Sequence, residues 1–465
     1  MSTNTFDRKL TYKELIGLPL ANFGPTLQTC IQMYFLLYFF TNVLGISGTA
    51  AAIIIMVARI WDFINDPLMA VLVEKTQKPE RCLLWMKAAL IPTCVFMVLT
   101  YTAPHFSTAG KIVWATVVFI GLGMSQTAYS IPLNSLRPTL TTDRVQRNRL
   151  NRMEQIVGIA GNILIPSVTM PLIAVLQGFN VSAPFMALAA IYAAVYFILA
   201  TIGLRMLKGH DHSVEMAQGG AGTNSKIGIS QMISAMFTNK AAMLVLMAQL
   251  LKMFISSISA SCMTYYYQYN IGNVNVMSVV STLGGLVGLV PILFLPSLYK
   301  KLGNAGTALS GAVIALAGMS IRFFTHDASV GIIYAATVIE YMGTQMISAM
   351  LMQCLMDAID YGEWKTGKKN VPVIMSTYGM GTKIGLAFGT TIAGLIVGAL
   401  NFDPSVAVQP DRVLNSFFFI MVTLLLIEYA CLAGLFVFLR KIEKKLPQMR
   451  AEIENGTSPG ASKLN

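Results

Sequence analysis

A chain of 465 residues with 55% hydrophobic and only 12% charged residues is too apolar for a soluble globular protein and points to a polytopic helical membrane protein. The formal net charge of +12 would suit a nucleic-acid partner, but its distribution along the chain excludes that role. The six cysteines, Cys30, Cys82, Cys94, Cys262, Cys354 and Cys431, have no paired spacing and read as small core residues, not as a disulfide or metal framework.

The N-terminus, MSTNTFDRKLTYKEL, is polar and lacks a short apolar core with a cleavage site, so no cleaved signal peptide is expected. Twelve apolar runs follow, near 16–42, 48–73, 84–103, 110–138, 153–177, 183–205, 228–268, 275–298, 305–324, 329–357, 372–400 and 413–439. Crossing a bilayer takes roughly 20 residues, and each run is read as one transmembrane helix. The seventh is overlong and is expected to include an interfacial segment around Ser230–Asn239.

Run 1 carries Asn22, Thr26 and Thr29 at i, i+4 and i+7, one polar stripe. Run 2 contains Ala58-Arg59-Ile60-Trp61-Asp62-Phe63-Ile64-Asn65-Asp66-Pro67, in which Arg59, Asp62 and Asp66 share a face at i, i+3 and i+7. Each charge at membrane depth costs at least about 2–3 kcal/mol, so such groups usually line a cavity and serve a function. A structural ion pair is the plainer alternative, but it needs only one carboxylate. Two carboxylates a turn apart suit a cation site facing a polar pathway. Run 4 adds Gln126, Thr127, Ser130 and Asn134, and run 5 opens with Glu154 and Gln155. Run 10 holds Glu340, Thr344, Gln345 and Ser348, and run 11 places Lys383 among glycines. Hydroxyls and amides in a bilayer often only join helices. Lys383 is harder to explain that way, because a mid-helix ammonium wants a carboxylate, and Asp62 or Asp66 is the natural candidate. Lys252, Glu340 and Glu428 are also buried by hydropathy, and Glu428, in the last run, is read as structural.

The connections alternate. Basic clusters follow runs 2, 4, 6, 8 and 10, among them Arg144/Arg147/Arg149/Arg152 and Lys365/Lys368/Lys369, and the tail adds five more basic residues. The intervening loops are nearly free of them. The positive charge is therefore topogenic, and it places both termini in the cytoplasm, with the chain in a cell (inner) membrane. The expected division is an N-terminal six-helix bundle at 1–205, a cytoplasmic linker at 206–227, a C-terminal bundle at 228–440 and a cytoplasmic tail at 441–465. His210 and His212 in the linker are read as solvated. The halves echo one another: Tyr38–Gly45 closes the first run as Tyr265–Gly272 closes the seventh, and Asp143 and Asp360 open corresponding basic loops. Such duplicated halves suit a transporter of the major facilitator fold. The chain has no GxxxxGK[ST] motif, which argues against ATP-driven pumping, and no nucleophile–base or metal constellation, which argues against an enzyme.

Three segments resemble the glycoside–pentoside–hexuronide:cation symporters of the major facilitator superfamily, of which melibiose permease is the best-known member. They are ARIWDFINDP, IPLNSLRPTLTTDRVQRNRL and DAIDYGEWKTGKK, and the similarity runs in register over roughly 10–440. The resemblance implies an all-α membrane protein with twelve transmembrane helices in two pseudo-symmetric six-helix bundles. It implies a cation site at Asp62, Asn65, Asp66 and Thr127, with Lys383 matching the family's helix-11 lysine; Arg59, on the same face of run 2, is read from its spacing as a further charge partner. On the sugar side the chain departs from melibiose permease. Thr26 and Ser130 stand at the sugar-gripping acids, Asn134 at a tryptophan, and Glu154 or Gln155 at an arginine. A pocket of Asn22, Thr26, Gln126, Ser130, Asn134, Glu154, Gln155 and Gln345 still supplies donors and acceptors for a sugar.

The expectation is a secondary active symporter, monomeric and in contact with membrane lipid. It needs no cofactor beyond a coupling Na⁺ or H⁺, no resident metal and no nucleic acid. Asp143, Arg144, Asp360 and Glu363 are expected at a cytoplasmic gate. An anionic, hexuronide-type sugar and a non-sugar solute remain as alternative cargo, and a transporter-like sensor is the rival of a different class.

Overall fold

A backbone crossing a bilayer must satisfy its polar groups internally, which leaves helices for apolar runs of this length. A computed structural model describes residues 10–140, 144–211, 213–214, 239–288, 290–325, 330–367, 371–406 and 408–455, with 457 and 459. Among them there is no strand. The helices are α1 (Tyr12–Tyr38), α2 (Gly48–Lys75), α3 (Arg81–Thr100), α4 (Thr108–Leu140), α5 (Arg144–Gly178), α6 (Pro184–Met206), α7 (Lys240–Tyr265), α8 (Asn275–Gly288), α9 (Val290–Leu302), α10 (Asn304–Phe324), α11 (Val330–Thr366), α12 (Val371–Ala399), α13 (Asp411–Phe418), α14 (Leu424–Glu443) and α15 (Leu446–Glu454). Ten of the described spans have both the length and the apolarity to cross a membrane. The twelve expected runs comprise these ten, α1, and the pair α8 and α9 that stands where run 8 was expected. The segment 230–238, expected to be interfacial, lies outside the described residues; Asn239 caps α7 by accepting from Ala242 N–H at 3.0 Å.

The described chain divides into two compact units, Met1–Thr223 with Gly394–Ala407, and Asn224–Ala393 with Val408–Asn465. In the first, α1 is seated by a capping box: Thr11 Oγ1 accepts from Glu14 N–H while the Glu14 carboxylate accepts from Thr11 N–H. The start of the linker is folded rather than loose. Asp211 Oδ2 accepts from Cys82 N–H at 2.8 Å and Leu83 N–H at 3.2 Å, capping α3 from a distance. His210 Nδ1 lies 3.2 Å from the buried Glu14 carboxylate, so this histidine, expected to be solvated, is tied to the base of α1. His212 lies outside the described residues.

The internal echo is present in the backbone. α1 ends in a π turn, Phe39–Val43, in which Leu44 N–H donates to Phe39 O and Ile46 N–H to Phe40 O. α7 ends in Tyr266–Asn270, with Ile271 N–H on Tyr266 O and Asn273 N–H on Tyr267 O. Each exit passes through a left-handed glycine, Gly45 at φ 74° and Gly272 at φ 71°, where a side chain would be strained. Aromatic girdling alone would not reproduce this register.

Candidate cation and sugar site

In the first unit, α2 and α4 bring the acids to one place. Thr127 Oγ1 donates to Asp66 Oδ1 at 3.0 Å. One turn earlier, Arg59 Nη1 donates to Asp62 Oδ2 at 3.3 Å, and both side chains are about a quarter exposed. A β-carbon at position 123 would stand 2.8 Å from Asp62 Oδ1, so Gly123 is the seat on α4 against which this carboxylate rests. Asn65 is buried between the acids in sequence, and its Nδ2 has no hydrogen-bond acceptor among the described residues. Pro67 lies inside α2 directly after Asp66; it removes one helical hydrogen bond there without ending the helix. Two carboxylates, an amide and a hydroxyl thus cluster on two helices. All offer oxygen, the donor that hard cations prefer.

The neighbouring polar stripe joins α1, α4 and α5. Gln28 Nε2 donates to Gln126 Oε1 at 2.9 Å, and Gln126 Nε2 to Thr29 Oγ1 at 3.4 Å. Thr26 Oγ1 donates to Asn22 O at 2.9 Å. Asn22, Thr26, Gln126, Ser130 and Glu154 are partly exposed, and Asn134 is exposed. The Glu154 carboxylate is held by Arg137, Nη2 to Oε1 at 2.9 Å, an ion pair between α4 and α5. Nothing is described of the Gln155 side chain. Sequence reasoning missed Gln28, Arg137 and Asn162. Arg137 reads as topogenic, and a lone amide in an apolar run reads as helix glue.

The second unit has its own polar interior. Gln249 Oε1 accepts from Tyr378 O–H at 2.9 Å, and Gln249 Nε2 donates to Thr382 Oγ1 at 2.9 Å, one residue before the exposed Lys383 on α12. Lys252 Nζ donates to Ser348 Oγ at 2.7 Å. Tyr429 O–H donates to Glu340, which also accepts from Thr344 Oγ1 at 3.1 Å. Gln345 on α11 is partly exposed. Of the expected gate, Asp360 accepts from Arg450 Nη2 of α15 at 2.6 Å, and Asp357 shares the same guanidinium at 3.1 Å. Glu363 lies in the last turn of α11, Asp143 lies outside the described residues, and the side chain of Arg144 is not described. A cavity of about 800 Å³ beside α15 is lined by Asn304, Asp357, Arg440, Glu443 and Arg450 among others, and by none of the stripe residues.

Long apolar helices, two units with matching helix exits and paired acids on α2 fit a membrane transporter. The chain belongs to the MFS/sugar transport protein family, whose profile matches residues 17–443. This is the group of glycoside–pentoside–hexuronide:cation symporters, so it is a cation-coupled sugar carrier by class. The isoprimeverose transporter of Lactiplantibacillus pentosus is 27% identical over 450 residues, covering 95% of this chain and 91% of that protein. The inner membrane symporter YicJ of Escherichia coli (strain K12) is 23% identical over 415 residues, covering 87% and 86%. Among solved structures, a bacterial homologue of the human lysosomal transporter Spinster aligns with a TM-score of 0.62 at 11% identity, covering 93% of this chain and 97% of that one. The nucleoside transporter NupG aligns with a TM-score of 0.59 at 14% identity, covering 92% and 98%. At such identities these structures speak for the fold alone.

Proposed function

We propose that the coupling cation, Na⁺ or H⁺, binds at Asp62, Asn65, Asp66 and Thr127, and that a glycoside binds beside it along the stripe of α1, α4 and α5. The observation that carries this is the Thr127–Asp66 bond, 3.0 Å long, between the acid-bearing helix and the helix that also carries Ser130. Thr127 and Ser130 are three residues apart on α4 and lie on neighbouring turns of one face. A cation that draws Thr127 onto the acids therefore moves the surface that meets the sugar. Alternating exposure of the loaded site to the two sides completes the cycle. Isoprimeverose, a neutral disaccharide, is the first cargo to test, because the relative of that name matches along nearly the whole chain.

Counterflow of labelled isoprimeverose in proteoliposomes tests this reading. Wild-type protein is expected to show transient uptake, and none at all across a panel of neutral and anionic sugars would reject sugar transport. Ser130→Trp is expected to abolish counterflow while cation binding, read by protection against thermal unfolding, persists. Unchanged transport in Ser130→Trp would remove α4 as the bridge between ion and sugar.

The protein is proposed to work as a monomer in the cell (inner) membrane with both termini cytoplasmic. Cysteines at Ser107 and Ser405 are then expected to react with an impermeant thiol reagent in intact cells, and one at Ser213 to be protected, Cys82 having been replaced. The reverse pattern would overturn the positive-inside assignment.

A further inference from the structure

The amides beside the cation site are not free to turn, and their orientation follows from hydrogen counting. Thr29 Oγ1 spends its one hydrogen on Pro25 O, at 2.9 Å. Whatever faces that oxygen from Gln126 must therefore donate, which fixes Nε2 toward Thr29 at 3.4 Å and leaves Oε1 toward Gln28. Gln28 then has to offer Nε2 to that oxygen, as it does at 2.9 Å, since its own carbonyl would face another. Gln28 is fully buried, and its Oε1 has no donor among the described residues. A buried acceptor left unpaired is a cost that the fold tolerates in order to hold this orientation. Gln126 is partly exposed, and one Nε2 hydrogen beyond the bond to Thr29 is left for it to offer outward. Asn162 on α5 is set the same way. Its Oδ1 faces Cys30 Sγ at 3.6 Å, and its Nδ2 donates one hydrogen to Gly158 O at 2.9 Å.

We propose that Gln28 is a positioning residue that holds the Gln126 amide in one orientation, so that its Nε2 faces the substrate as a donor to a sugar oxygen. This rests on the stripe of α1, α4 and α5 being the sugar site. A hydroxyl, ring or glycosidic oxygen of a neutral sugar can accept from it, as can the carboxylate of an anionic one. Gln28 touches no substrate and acts through Gln126. Its loss is felt in sugar affinity and not in the cation step, because Thr127 and Asp66 keep their bond.

The test uses full-length protein in proteoliposomes with labelled isoprimeverose in one arm and labelled glucuronate in the other. In Gln28→Met the Gln126 amide keeps only its longer contact to Thr29, and KM for whichever sugar the wild type carries is expected to rise about tenfold, with Vmax and cation half-saturation unchanged. Thr29→Val, at an exposed position, removes the origin of the polarity and is expected to raise KM about threefold with the same split. Unchanged KM in both variants, or a fall in Vmax with KM constant, overturns the proposal. A second measurement needs no sugar: melting temperatures of Gln28→Met, Gln126→Met and the double variant are expected to be non-additive, as bonded partners are. Additive shifts overturn the proposal. A wild type that carries neither sugar counts against the sugar reading instead, and the melting cycle then decides the Gln28–Gln126 bond.

Discussion

Asp66→Asn is expected to abolish uphill sugar accumulation, bringing the inside-to-outside ratio to unity, while facilitated exchange stays measurable. Asparagine keeps the shape of the side chain and an oxygen that Thr127 can still donate to, so the α2–α4 contact at 3.0 Å survives. What is lost is the negative charge that makes cation binding favourable. A symporter accumulates sugar only because the cation gradient is spent in the same cycle, and an uncoupled carrier can only equilibrate. Asp62→Asn should lose accumulation in the same way and also lower the folded yield. Its carboxylate is the partner of Arg59 at 3.3 Å, and its removal strands a guanidinium at membrane depth. Accumulation ratios are read with labelled sugar in energised vesicles, and exchange is read by counterflow in the same preparation. Normal accumulation in both variants would remove the cation site from α2.

The acid stripe was legible because charge is so costly in an apolar run that its spacing alone is a signal. Arg59, Asp62 and Asp66 needed only helical geometry, and the contact from Thr127 confirms that α4 is the neighbouring helix. The paired helix exits were legible for a similar reason: a glycine after an aromatic-rich helix end marks a backbone requirement, and the π turns at Phe39–Val43 and Tyr266–Asn270 follow it. Other features were hidden because the residue type has a duller use. Arg137 looks like one more positive-inside charge, yet its guanidinium holds Glu154. Gln28 looks like generic helix glue, since nothing in its neighbours says which way its amide must point. Asp211 looks like linker, because capping α3 from more than a hundred residues away leaves no local pattern. Arg322 sits in the last turn of α10 and reads as a loop charge, but it is buried with its guanidinium 5.3 Å from the Tyr266 ring.

The second unit's interior charges give the other large effect. Lys252, Arg322, Glu340 and Glu428 are all buried, two basic and two acidic side chains. Lys252 is held by Ser348 at 2.7 Å, and the acid whose charge it feels is Glu428. Glu428 is 1% exposed, and its Oε2 has no hydrogen-bond partner among the described residues, so attraction to Lys252 is its principal compensation. Glu340 is better supplied, by Tyr429 and Thr344, with Arg322 as its opposite charge. Removing Glu428 takes from the buried Lys252 the opposite charge it feels, and breaking a buried pair from one side costs about 3–5 kcal/mol. Glu428→Leu is therefore expected to lose most of its folded yield and to melt well below wild type. Replacing both partners, Lys252→Met with Glu428→Leu, removes the stranded ammonium and fills the same space with apolar atoms. That double variant is expected to recover most of the yield and melting temperature and to keep uphill accumulation, because the coupling acids lie in the other unit. Size-exclusion profiles and melting curves in detergent read the first part, and vesicle accumulation reads the second. A single variant as stable as wild type would show that Glu428 does not compensate Lys252. A well-folded double variant that still exchanges sugar but cannot accumulate it would move part of the coupling machinery into α7 and α14.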